Sequence, residues 1–141
     1  MEIIEGAGVW KHPGEAGNDW IEQLRTSDLS VGTYCIPVGG RDAQSPHTED
    51  EIYVVTAGRA TIETPGRTAE VGPGAVIFVP AGEEHRFTEV AEDLVLLVVF
   101  GPAYGSRLPT HQRSGAADRR TALQRGASSS GTSGEAKCKG T

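Results

Sequence analysis

Cysteine is nearly missing from this sequence. Only Cys35 and Cys138 occur in 141 residues, and the second falls in a Ser/Gly-rich terminal stretch, so no disulfide framework is expected. Cys35 sits in an apolar, strand-like run, where a buried, inert thiol is the plain reading. The paired cysteines of a zinc finger are absent. Long apolar runs are lacking too: LVLLVVF, Leu94 to Phe100, has seven residues, and about 18 are needed to suggest a membrane span. The opening MEIIEGAGVWKH has no basic region followed by an apolar run, so no secretory signal is expected, and the cytoplasm is the expected location. Cationic charge is scarce over residues 1–104, with 6 Lys/Arg against 17 Asp/Glu for a net −11; residues 105–141 carry 7 against 2, a net +5. An acidic body cannot neutralise phosphates, which excludes nucleic acid as an expected partner. The basic end has no interleaved aromatics and reads as a solvated tail.

What the chain does have is glycine, 19 residues, and proline, eight. That composition suits many short strands joined by tight turns, and the length suits one domain. Glu2-Ile3-Ile4 reads as a short edge strand, and Asn18 to Leu24 as one helical turn capped by Asn18 or Asp19. Trp10 and Trp20 are expected to cover the body or to form a dimer contact. Short strands then follow at regular spacing: Val31–Val38, Ile52–Thr56, Ala60–Glu63, Thr68–Val71, Val76–Val79, a strand holding His85 and Phe87, and Leu94–Phe100. The last is apolar at every position and reads as buried on both faces. After about Tyr104 the apolar content collapses. The domain is therefore expected over 1–104, with a low-complexity, flexible tail over 105–141 that is at most weakly helical at Ala116–Arg125.

Two stretches carry the chemistry. In Gly39–Gly58, GGRDAQSPHTEDEIYVVTAG, strand alternation places His47, Glu51, Tyr53 and Val55 on one face. In Gly74–Glu89, GAVIFVPAGEEHRFTE, Val76 and Phe78 alternate before a Pro-Ala-Gly turn and His85. Two imidazoles and a carboxylate on facing strands make a metal site with open coordination positions. A Ser/His/Asp reading fails because Ser45-Pro46-His47 offers no strained nucleophile elbow, and no phosphate-cradling glycine loop occurs.

Both stretches resemble the paired motifs of the cupin superfamily, small jelly-roll β-barrels. Gly39, five residues, Ser45-Pro46-His47, three residues, Glu51, six residues and Gly58 follow the first motif. Gly74, five residues, Pro80-Ala81-Gly82, two residues, His85, three residues and Glu89 follow the second. Ser45 stands where the first motif has its first histidine, and Glu89 where the second has asparagine. The resemblance implies an all-β fold, a single cupin jelly-roll β-barrel, with the metal held by His47, Glu51 and His85.

Gln44 is a candidate fourth ligand, direct or through water, against a plain loop role. Tyr53 is the candidate proton or hydrogen-bond donor to a substrate, against a lining aromatic. Glu49 is a second proton-transfer candidate by parity, against the reading of Glu49-Asp50 as a solvated acidic pair. Glu89 is a candidate support for a ligand histidine, while Glu84 and Arg86 have outward parity. Val55, Val76 and Phe78 are expected to give the pocket an apolar wall. The expected cofactor is one divalent metal ion, Fe(II) first, with Zn, Mn, Ni or Co as alternatives. The expected function is a metal-dependent enzyme acting on a small molecule: an Fe(II)-type oxygenase, or a divalent-metal isomerase, lyase or cyclase. The alternative is a non-catalytic cupin that binds a small ligand as sensor, carrier or assembly partner. A homodimer through N-terminal strands is expected, as small cupins commonly form.

Overall fold

The structure, a computed structural model, describes residues 1–13 and 18–107. Eight strands follow in chain order: β1 (Asp19–Arg25), β2 (Ser30–Ile36), β3 (Asp50–Ala57), β4 (Ala60–Thr64), β5 (Arg67–Val71), β6 (Val76–Val79), β7 (Arg86–Thr88) and β8 (Leu94–Gly101). No helix occurs among the described residues. The ladders are antiparallel and form a five-stranded sheet, β1-β2-β8-β3-β6, and a three-stranded sheet, β5-β4-β7. Among the described residues no ladder joins one sheet to the other.

One core holds the sheets together. The larger sheet contributes Tyr34, Ile36, Tyr53, Val55, Leu94, Leu96, Val98 and Phe100, and the smaller contributes Ala60, Ile62 and Phe87. Each large apolar side chain taken wholly from water contributes about 1.5–3 kcal/mol. The register explains which face each strand offers. Phe100, Val98 and Leu96 lie opposite Glu51, Tyr53 and Val55, so the alternation that buries the apolar rows of β8 also turns the polar Glu51 and Tyr53 inwards.

Asn18 to Leu24 is not a helical turn. Asp19–Arg25 pairs with Ser30–Cys35 and carries a register shift between Glu22 and Leu24. The gain is packing: the Trp20 ring lies against Gly32, where an added Cβ would meet it at 2.4 Å, and it meets Phe100 edge-on at 5.8 Å. Residues 2–4 form no strand. The N-terminal stretch bonds to side chains instead of a ladder: Gly8 N donates to Thr33 Oγ1, and Thr56 Oγ1 donates to the Gly8 carbonyl.

Val76 and Phe78 do not line an interior. They are 67 % and 62 % exposed, because β6 turns Ile77 and Val79 inwards opposite Tyr53 and Glu51. Together with Ile52 they leave an apolar patch on the outer face. Of the tail expected over 105–141, the part from 108 on, with His111, Cys138 and the weak helix at 116–125, lies outside the described residues. Cys35 is a free, buried thiol; burial pushes its pKa up, which keeps it protonated and unreactive.

Candidate metal centre

His47, Glu51 and His85 come together from three places. His47 lies in the loop three residues ahead of β3, not on the strand itself. Glu51 is on β3, and His85 immediately precedes β7 of the opposite sheet. All three are buried, and one ligand atom from each lies within 4.8 Å of the others. His85 Nε2 is 3.2 Å from Glu51 Oε2, and His47 Nε2 contacts the same oxygen.

The outer nitrogens decide what the inner ones can do. His47 Nδ1 is 2.7 Å from the Glu49 carbonyl and His85 Nδ1 is 2.9 Å from the Glu83 carbonyl. A carbonyl only accepts, so each Nδ1 carries a proton and each Nε2 of a neutral ring presents a lone pair. Two nitrogen lone pairs and a carboxylate then converge on one point, an arrangement that positive charge stabilises. Glu51 Oε1 is buried without a hydrogen-bond partner, which leaves one more acceptor unsatisfied. A divalent cation satisfies all of these atoms at once, so the donor set fits a metal.

The protonation balance agrees with this. Burial pushes the Glu51 carboxyl up, but in the absence of an ion a second proton on the His47 and His85 rings, donated to it from Nε2, outweighs burial and holds it below its ordinary value. Burial pulls His85 down, yet bonding to Glu51 and to the Glu83 carbonyl raises it overall. Tyr53 is wholly buried, and burial with the adjacent Glu51 charge pushes its phenol well above the ordinary value. Its hydroxyl is 2.9 Å from His85 Nε2 and 3.3 Å from Gln44 Oε1.

Gln44 thus meets the site through Tyr53. Its Nε2 donates to Asp42 Oδ2 at 3.2 Å. Asp42 was not among the residues singled out in the sequence, although Gln44 N donates back to Asp42 Oδ1 at 3.1 Å. That is an Asx turn, and an Asp two residues before a loop residue is its sequence signal.

Glu49 is 1 % exposed, so it is no solvated acidic residue, and it is not among the converging ligands either. Its Oε1 accepts from Thr48 Oγ1 at 2.9 Å and from Arg107 N at 3.2 Å, while Arg107 also donates to the Thr48 carbonyl. Glu49 therefore anchors the C-terminal segment. Glu89 is exposed at a positive φ of 46° and accepts from Thr61 Oγ1, away from both histidines. His12 lies at the surface against Trp10.

A cavity of about 460 Å³ is lined by His85 with Gln44, Ser45, Pro46, Glu63 and Arg86, while the His85 ring itself is buried. Its wall mixes polar and apolar surface, with Pro46 and Pro65 beside a Glu63–Arg86 ion pair at 3.0 Å. With Val76 and Phe78 outside, the expected apolar wall is reduced to Val55 deeper in the core.

Comparison with known proteins bears on the fold that carries this cluster. Residues 32–100 match the cupin domain family. An uncharacterised protein of Streptomyces coelicolor is 45% identical over 89 residues, which span 62% of this chain and 85% of that protein. Among solved structures, KdgF from Halomonas sp. superposes with a TM-score of 0.58 at 22% identity, covering 64% of this chain and 84% of that one. The DMSP lyase DddQ from Ruegeria pomeroyi gives 0.57 at 20% identity, covering 72% of this chain and 54% of its own. A cupin superfamily protein from Desulfitobacterium hafniense gives 0.56 at 15% identity, covering 64% and 83%. With both motif spacings intact, a family match across the strands that carry them and the same two-sheet fold in these structures, the chain belongs to the cupin superfamily.

Proposed function

We propose that this protein is a divalent-metal-dependent enzyme acting on a small molecule. One observation carries the reading: both histidines have Nδ1 tied to a backbone carbonyl while their Nε2 atoms converge with a buried carboxylate. His47, Glu51 and His85 would hold the ion and leave coordination positions open for substrate. Bound there, the metal would polarise a substrate oxygen or, as iron, support an oxidative step. The chain's own residues supply the rest. The cavity beside Gln44 and Arg86, on the His85 side of the centre, would take the substrate, and the core behind Tyr53 excludes water. Tyr53, beside His85, is the group in reach of a metal-bound substrate for hydrogen bonding or proton exchange. The two sheets sharing one core are read as the halves of a jelly-roll barrel.

The test is metal content by mass spectrometry on protein purified without oxygen or chelating resin, with His47→Ala and His85→Ala alongside. Near-stoichiometric metal lost in both variants supports the reading, and its identity chooses the chemistry: iron for an oxidative enzyme, zinc or nickel for an isomerase or lyase. No metal after reconstitution with Fe(II), Mn, Co, Ni and Zn sinks the triad and leaves a non-catalytic binding module.

A second copy of the chain is the partner we infer. Ile52, Val76 and Phe78 are exposed on the outer face of β3 and β6, and Val54, Leu97 and Val99 continue the same face across the ladder. A twofold axis there would set one apolar patch on its equal.

A further inference from the structure

Asp42 lies outside the metal triad, yet it is the most heavily bonded side chain around it. Its Oδ1 accepts from Tyr34 OH at 2.9 Å and from Gln44 N. Its Oδ2 accepts from Phe87 N at 3.0 Å and from Gln44 Nε2. Four donors reach it from β2, from β7 and from its own loop, so one carboxylate joins both sheets to the segment that leads into His47. Asn18 Nδ2 bonds to Tyr34 OH and to the Arg41 carbonyl, bracing the same group from the far side.

This arrangement fixes a direction. A carboxylate accepts and never donates, so the Gln44 amide must turn its NH₂ towards Asp42. Its carbonyl oxygen then faces Tyr53. A carbonyl also only accepts, so Gln44 Oε1 at 3.3 Å and the unprotonated His85 Nε2 at 2.9 Å both call on the single hydroxyl proton of Tyr53. With an ion on His85 Nε2, the Gln44 carbonyl is the acceptor left, and the phenol's remaining lone pairs would face the centre.

We propose that Asp42 is a positioning residue: it sets the Gln44 amide so that Tyr53 donates to Gln44 and presents its oxygen to the metal centre as a hydrogen-bond acceptor. The inference rests on the metal reading above and sharpens it. A ligand carrying a hydroxyl proton at that position gains a bond, and one carrying an ether or carbonyl oxygen there meets only lone pairs. The substrate class is thereby a hydroxyl-bearing chelator.

The experiment has two arms. In the full-length, metal-free protein, ¹⁵N-edited nuclear Overhauser spectra read the amide directly. The Gln44 NH₂ protons should show contacts to the Phe87 amide proton, since both groups share Asp42 Oδ2, and none to the Tyr53 ring. Contacts to the Tyr53 ring in place of Phe87 overturn the proposal whether or not metal binds.

In the cobalt(II)-loaded protein, glycolate and methoxyacetate are titrated against the visible spectrum. Both probes chelate alike, but only glycolate has the hydroxyl proton. The parent should prefer glycolate by about tenfold, the worth of one hydrogen bond. Gln44→Leu and Asp42→Asn should each remove most of that preference, and the double variant no more than either alone. A parent with no preference, or an Asp42→Asn variant that keeps it, refutes the inference. Should Asp42→Asn fail to fold, Gln44→Leu with the spectra of the parent still decides. A protein that takes up no cobalt refutes the metal reading, and the spectra then judge the amide separately.

Discussion

Replacing Gly58 by alanine tests how the motif glycines act. Gly58 closes the first motif at a φ of +82°, and a Cβ there would stand 2.3 Å from the Asp93 carbonyl oxygen, 2.7 Å from its carbon and 2.7 Å from Leu94 Cα. Every obstacle is backbone. Asp93 cannot withdraw easily, because its carboxylate accepts from Val38 N at 2.8 Å and the neighbouring Ala91 N donates to the Arg59 carbonyl. Gly82 is the internal reference: its φ is +81°, but nothing lies within 4 Å of the added Cβ. A non-glycine residue in the left-handed region costs about 1–2 kcal/mol, and both substitutions incur that. Forced overpacking adds about 1–3 kcal/mol at Gly58 alone. Gly82→Ala should therefore lose about 1–2 kcal/mol and Gly58→Ala about 2–5 kcal/mol. With a urea slope of about 1–2 kcal/mol/M for a small domain, the two midpoints should differ by about 0.5–3 M. Denaturation in chelator, followed by circular dichroism, measures this without any contribution from metal. Variants whose stabilities agree within about 0.5 kcal/mol would refute the steric argument.

Three further outcomes are expected. Tyr53→Phe should retain the metal but slow turnover by about 10²–10⁴-fold; loss of metal in this variant would reassign Tyr53 as a ligand. In the metal-free protein, the Glu51 contribution to stability is complete above that group's ordinary 4.5 and is lost as pH falls through its lowered value. The His85 contribution is complete below its ordinary 6.5 and is lost as pH rises past its raised value, so the Tm of metal-free protein should peak between these limits. Metal-loaded protein should instead gain stability towards neutral pH as protons leave the ligands; calorimetry at several pH values checks both, and a flat metal-free profile from pH 4 to 8 contradicts the coupling. Finally, sedimentation velocity at micromolar concentration should show a dimer for the parent and a monomer for Phe78→Glu; a monomeric parent removes the proposed twofold contact.

The site was more legible in the sequence than its surroundings were. His47, Glu51 and His85 are fixed by spacing within two local stretches, and alternation alone turns Glu51, Tyr53 and Val55 the same way. Alternation could not orient β6. In Ala75-Val76-Ile77-Phe78-Val79 both parities are apolar, so composition gives no choice of face, and only the pairing of Glu51 with Val79 makes it. The stretch from Asn18 to Leu24 reads helical in isolation, but β2 offers it a ladder and Gly32 offers Trp20 a seat, and tertiary packing overrides local preference. Asp42 is a similar case: two of its donors, Tyr34 and Phe87, are brought to it only by folding.

The bond between Glu49 and Arg107 sets where this chain can be shortened. The backbone N–H of Arg107 caps a carboxylate lying two residues from each of two candidate ligands, His47 and Glu51. A cut after Tyr104 would leave that carboxylate buried with one donor fewer and loosen the loop that aims His47. A cut after Arg107 keeps the tie. Three residues, Gly105 to Arg107, thus separate a truncation that preserves the centre from one that disturbs it at a distance.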